Sequence, residues 1–113
     1  MKEEDFGRCP YVTVQKLLSG KWTLSVLFLL SDQTMRFSEI QRELPGLTQA
    51  TLTKQLRALE ENGLIVRTVY NQIPPKVEYS LSDIGEKFKP VMDSLKTWGG
   101  EYIQSINNKK SSD

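Results

Sequence analysis

The chain contains no histidine and a single cysteine, Cys9. The missing histidine removes the commonest general base and the commonest transition-metal ligand together. With one thiol besides, no zinc-site spacing can be assembled and no intramolecular disulfide can form. A lone thiol suits a reducing cytoplasm. The glycine-rich loops that cradle phosphates are absent as well. No cofactor, no metal and no enzymatic activity are therefore expected. Charge of one sign is also scarce: 15 Lys and Arg stand against 14 Asp and Glu, a net of +1. Composition by itself announces no polyanionic partner. Long apolar runs are missing too. The stretch 24–30 is apolar apart from Ser25 and far too short to cross a membrane. The opening Lys2-Glu3-Glu4-Asp5 does not suggest a secretory leader, so no membrane partner is expected.

What is there fits one small domain, or one domain with a dimerisation arm: 113 residues, 38% hydrophobic and 26% charged. The informative stretch runs from Phe37 to Arg67. It reads as two short helices with a tight break, then a strand. Ser38 can cap the first helix, with Gln41 at capping-box spacing. Pro45-Gly46 stops it. Thr48 can cap the second helix, spanning about 48–62. There Leu52, Leu56 and Leu59 share one face. Ala50, Lys54 and Arg57 fall opposite, with Thr53 on the flank. Asn62-Gly63 ends the helix, and Leu64 is placed to fold back on Leu59 in a Schellman cap. A second helix with an apolar inner face and a polar, basic outer face is the plan of a helix-turn-helix DNA reader. The segment 36–76 carries six Lys and Arg against four Glu, an excess that permits DNA binding without demanding it.

The remainder frames this unit. Residues 1–8 are polar and expected to be loose. Pro10 opens a helical pattern through Val12, Val14, Leu17 and Leu18, which Gly20 breaks. Trp22 to Leu30 follows as a helix apolar on nearly all sides, expected at the buried centre. Trp22 is expected in the core rather than stacked on bases, and Lys21 in a solvated turn. Met35-Arg36-Phe37 is a possible short strand. Leu64–Tyr70 and Lys76–Leu81 read as strands around the turn Asn71-Gln72-Ile73-Pro74-Pro75. A hairpin directly after a reader helix, about 64–81, is a wing. Ser82 can cap a last helix, about 82–106, which Pro90 should kink or split. Its apolar residues Ile84, Phe88, Val91, Leu95, Trp98 and Tyr102 form a heptad-like stripe, widened by Met92. Because the core is complete by Leu81, that stripe needs a partner subunit, with intrachain packing as the alternative. The tail 107–113 is polar and expected to be frayed.

In this order the pieces resemble the HxlR-type regulators, relatives of the MarR-like winged-helix proteins. The resemblance rests on Cys9-Pro10, Gly20-Lys21-Trp22-Thr23, Arg36-Phe37-Ser38-Glu39-Ile40, Leu52 through Ile65 to Arg67, Pro74-Pro75-Lys76-Val77-Glu78-Tyr79-Ser80-Leu81, Gly85 and Trp98. It covers roughly residues 9–100, nearly the whole chain. It implies a homodimeric bacterial regulator of transcription that binds a pseudo-palindromic operator in double-stranded DNA, with a small-molecule or oxidant effector in some members. In some of those, the cysteine that Cys9 matches is the sensor.

The expected fold is thus α+β, mainly α: a winged helix-turn-helix over 9–106 with a β-hairpin wing and a C-terminal dimerisation helix. Gln49, Ala50, Thr51, Thr53, Lys54 and Arg57 are the expected DNA readers. Lys76 is the expected wing contact to phosphate, and Arg36 and Ser38 are weaker candidates. The dimer interface is expected at Phe88, Val91, Met92, Leu95, Trp98 and Tyr102. Cys9, just before Pro10, should sit near a helix N-cap, where free N–H groups favour a thiolate; the alternative is a small packing residue. A winged-helix protein-interaction module without DNA binding remains a second functional expectation.

Overall fold

A computed structural model describes residues 1–111. The element order is α1 (Pro10–Leu17), α2 (Thr23–Asp32), α3 (Phe37–Glu43), α4 (Gln49–Glu61), β1 (Ile65–Tyr70), β2 (Lys76–Leu81), α5 (Asp83–Glu86) and α6 (Lys89–Ser111). This is the expected winged helix-turn-helix. The core is one cluster built from α2 (Val26, Leu27, Leu30), α3 (Ile40), the turn residue Leu47, α4 (Leu52, Leu56, Leu59) and the roots of the wing (Ile65, Leu81). The Leu stripe of α4 is therefore its buried face, as the i, i+4, i+7 spacing requires.

The wing is an antiparallel pair in register from Ile65↔Leu81 to Tyr70↔Lys76. Ile65 and Leu81 lie at its buried root, and the rest of the ribbon runs out into solvent. The expected strand at Met35–Phe37 shrinks to a single bridge, in which Met35 exchanges both backbone hydrogen bonds with Tyr79 at 3.0 and 2.8 Å. This pairing moves the start of α3. Phe37 is already helical and Arg36 is the N-cap, with its N–H donating to the Glu39 carboxylate at 2.8 Å. Ser38 therefore does not cap; it is an exposed residue of the first turn.

Two further expectations change, and the expected break near Pro90 is present. The α2 helix is not buried all round: Val26, Leu27 and Leu30 face the core, but Leu24 and Phe28 are exposed. The last helix is split before Pro90. Ser82 caps only the short α5, accepting from the Gly85 N–H, and α6 restarts at Lys89. The ends also depart from bare tails. Residues 3–5 form a 3₁₀ turn, and α6 continues past residue 106 to Ser111; the last two positions of the expected frayed tail lie outside the described residues.

Gly85 is buried where α5 crosses the end of the reader unit, and a Cβ there would strike the backbone carbonyl of Leu64. Alanine favours a helix over glycine by about 1 kcal/mol, but overpacking against fixed backbone costs about 1–3 kcal/mol. Gly85→Ala is therefore expected to destabilise on balance. Urea denaturation followed by circular dichroism checks this; a raised midpoint would show that the contact relaxes freely.

Candidate nucleic-acid interface

The reader helix is fixed at both ends by local chemistry. At its start the Thr48 hydroxyl accepts from the Thr51 N–H at 3.1 Å. At its end Gly63 takes φ +75°. There the Leu64 N–H reaches the Leu59 carbonyl at 3.0 Å and the Gly63 N–H reaches that of Glu60 at 3.0 Å, a full Schellman motif. Midway, the Gln55 amide donates to the buried Thr23 hydroxyl of α2 at 3.0 Å. With the Leu52–Leu56–Leu59 face sunk in the core, the helix has no freedom to roll.

On the solvent side, Gln49, Ala50, Thr53, Lys54 and Arg57 come together along one shallow depression, joined by Ala58 and Glu61. Neither Lys54 nor Arg57 makes an ion pair among the described residues, so both cations are available. Thr51 sits apart from this group. It faces the α1–α2 turn, beside Ser19, Gly20 and Thr23, and its hydroxyl accepts from Thr48 at 2.8 Å. Arg36 and Ser38 are exposed at the start of α3. On the wing, the Lys76 ammonium lies 2.6 Å from the Glu78 carboxylate and 5.1 Å from the Tyr70 ring centroid; a partly exposed pair of this kind is weak and leaves the cation able to exchange partners.

One residue was missed. Register pairs Arg67 with Tyr79, and the two share a groove with Phe37, Thr53, Leu56, Arg57 and Glu60. Arg67 thus stands on the α4 side of the wing, near Arg57. The signal was present: Arg67 has the same strand parity as the inward-facing Ile65, so it lies on the face of the wing turned toward α4.

The expected dimer residues divide. Met92 is 8% exposed and belongs to the core, and Phe88 packs against it. Both serve their own domain. Val91, Leu95, Trp98 and Tyr102 are exposed, with Trp98 at 64%, and they continue into exposed Ile103 and Ile106. Trp98 and Tyr102 stack at 5.5 Å. Cys9 is the N-cap of α1 with Pro10 at the first helical position, and it is half-buried. No cluster of three or more metal-ligating side chains occurs among the described residues, and none of their helices is long and apolar enough to cross a membrane.

Comparison with known proteins agrees with this architecture. The uncharacterized HTH-type transcriptional regulator YdeP of Bacillus subtilis is 44% identical over 104 residues, covering 92% of this chain and 81% of that one. The redox regulator HypR in its reduced form superposes with a TM-score of 0.83 at 37% identity, covering 88% of this chain and 99% of that one. The HTH-type regulator YtcD, also of B. subtilis, superposes with a TM-score of 0.81 at 42% identity over 85% of this chain and 98% of that one. The model of the HxlR-like helix-turn-helix family matches residues 17–107. With nearly the whole winged helix inside that match, the chain belongs to the HxlR-like helix-turn-helix family.

Proposed function

We propose that this chain is a non-enzymatic regulator of transcription that binds double-stranded DNA as a homodimer, each protomer laying α4 in a major groove of a pseudo-palindromic operator. The observation that carries the reading is the solvent face of α4, where Gln49, Thr53, Lys54 and Arg57 converge on a rigidly held helix and the two cations are unpaired. Arginine is suited to guanine O6 and N7, and glutamine to adenine N6 and N7. Arg67, and Arg36 and Ser38 at the start of α3, are placed to touch flanking phosphate. The curated relatives are HTH-type transcriptional regulators, which supports the same function here.

Arg57→Ala and Lys54→Ala are each expected to weaken binding to a selected operator without lowering thermal stability. A lost base contact costs about 1–3 kcal/mol, and a lost phosphate contact instead lowers the salt slope by about one. Fluorescence anisotropy at four salt concentrations distinguishes the two. Parental binding by both variants at every salt would remove α4 as the reader, and a flat salt response of the parent would favour a protein-interaction module.

Dimerisation is proposed through the distal part of α6. From residue 93 to 110 this helix buries none of its side chains, yet it carries Leu95, Trp98, Tyr102, Ile103 and Ile106. Exposed apolar area of that extent is characteristic of an unfilled interface. Two-fold symmetry would then set the reader helices about one DNA turn apart, ~34 Å. Trp98→Glu is expected to give a folded monomer, because the indole makes no contact with the core. Size-exclusion chromatography with light scattering at micromolar concentration checks it; an unchanged dimer would place the interface elsewhere.

An oxidant response through Cys9 is the finer part of the proposal. Its place at the N-cap of α1 and its partial exposure support it, as does similarity to the redox regulator HypR. The chain holds one thiol, so any protein disulfide must join Cys9 to the thiol of a partner subunit or another protein, with small-thiol adducts the alternative. Diamide, which accepts the two electrons and two protons, is expected to give a covalent dimer or an adduct and to alter operator binding. Cys9→Ser should do neither. Identical gels and identical binding for both proteins would leave Cys9 as packing alone.

A further inference from the structure

The reader helix has two flanks. At ~100° per residue, Thr53, Arg57 and Glu60 lie on the flank of α4 that faces the wing, and Thr51, Gln55 and Ala58 on the opposite one. A second groove runs along that opposite flank, between α4 and the turn that joins α1 to α2. Lys16, Ser19 and Gly20 form its far wall, and Lys54 borders both this groove and the reader face. The turn is held close: the Gln55 amide donates to Thr23 at 3.0 Å, and a Cβ on Gly20 would crowd both side chains. Charge is distributed unevenly here. The whole chain is +1, yet residues 6–31 carry Arg8, Lys16 and Lys21 with no Asp or Glu, and residues 44–59 carry Lys54 and Arg57 with none. Both walls are drawn from these stretches, apart from Asn62 at one end, so no carboxylate lines the groove. The Lys16 ammonium lies 5.9 Å from the Phe6 ring centroid and the Lys21 ammonium 5.3 Å from that of Trp22. Neither they nor Lys54 make an ion pair among the described residues. The Thr51 hydroxyl accepts from Thr48, which leaves its own proton to donate.

Resting on the DNA-binding reading above, we propose that the α1–α2 turn is a separate seat for the DNA backbone, on the side of α4 away from the wing. A major groove is ~12 Å wide, and a helix with its side chains is about 10–12 Å across. A reader helix therefore fills the groove, and the phosphates of the two strands run along its two flanks. Thr51 belongs to the first turn of α4, the end of a reader helix that approaches the base edges. The α1–α2 turn beside it is carried to the backbone with it. In this seat Lys16 and Lys54 supply charge and Thr51 a hydrogen bond, while Lys21 meets the same strand at the outer side of the turn. Continuity with the reader face through Lys54 makes the occupant the duplex rather than a free anion. Such contacts carry no base information; they set the register of α4 in the groove.

The test uses the full-length protein and an operator selected from a random duplex pool. Lys16→Gln and Lys21→Gln are compared with the parent, and with Lys96→Gln on the distal part of α6 as a control for the loss of any one charge. Each turn variant is expected to lower the salt slope by about one per half-site and to weaken binding by the same factor on the operator and on a point-mutated operator. Lys96→Gln is expected to keep the parental slope. Replacing single backbone phosphates by uncharged methylphosphonates locates the seat: one position per half-site should weaken the parent and have little further effect on the turn variants. Parental slopes in both turn variants, an equal drop in Lys96→Gln, or methylphosphonate losses that add fully to those of the variants overturn the inference while leaving α4 as the reader. So does competition by inorganic phosphate at constant ionic strength that both turn variants abolish, which assigns the seat to a free anion. A parent that selects no operator overturns both readings.

Discussion

The molecule depends on one knot of backbone hydrogen bonds around Leu64. The Leu64 N–H closes the Schellman motif on Leu59, and its carbonyl accepts from the Ser82 N–H at 3.0 Å. The Ser82 hydroxyl donates to the Gly63 carbonyl and accepts from the Gly85 N–H, so both of its capacities are used. Gly85 is a glycine because the Leu64 carbonyl occupies the space of its Cβ. Three elements are thereby locked at one point: the end of α4, the root of the wing and the start of α5. A reader helix and a wing can recognise one rigid duplex only if their mutual geometry is fixed beforehand, since ordering them on binding would cost affinity.

From that knot the packing divides the chain into a part that needs only itself and a part that does not. The stripe Leu52–Leu56–Leu59, the α2 residues Val26, Leu27 and Leu30, and the wing roots fill one core. The start of α6 still belongs to it through Met92, with Phe88 in the turn just before the helix. Past Met92 the helix leaves the domain, and its apolar side chains have nothing of their own to cover. The exposed Leu24 and Phe28 of α2 repeat the pattern on a smaller scale. A chain of this size retains such surface only at a cost in solubility, and a second copy is the proposed remedy.

Much of this was legible in the sequence because the controlling chemistry is local. The Thr48 cap, the Gly63 turn with its fold-back on Leu59, and the heptad of leucines each involve residues a few positions apart, and each was read correctly. What escaped is set by distant partners. The bridge between Met35 and Tyr79 decides where α3 begins, so the capping-box spacing of Ser38 and Gln41 was real but unused. Along the apolar stripe of the last helix, Phe88 obeys the same period as Trp98, and Met92 lies beside it. No period tells where a helix parts from its own domain. The Lys76–Glu78 pair joins i, i+2 neighbours on one strand face and was visible in the sequence, whereas the Lys76 contact with Tyr70 needed the hairpin register. The inward parity of Arg67 was visible, but its meaning required knowing that α4 lies on that side of the ribbon.

The near balance of charge also takes on a meaning in this geometry. With a net of +1, the whole molecule exerts little long-range pull on a polyanion, and the steering field is weak. Lys54, Arg57 and Arg67 form a local group of cations on and beside α4, while Lys76 pairs with Glu78 on the wing. Few phosphate contacts per protomer release few counterions, which keeps non-specific binding weak. One protomer on one half-site would then bind poorly. Joining two readers rigidly makes the second contact intramolecular and raises its effective concentration. In the proposed dimer, affinity for an operator would be a property of the pair rather than of one winged helix. An event that altered how α6 pairs, or that drew two copies of Cys9 together, would then act on DNA binding through half-site spacing, without touching a residue that faces the bases.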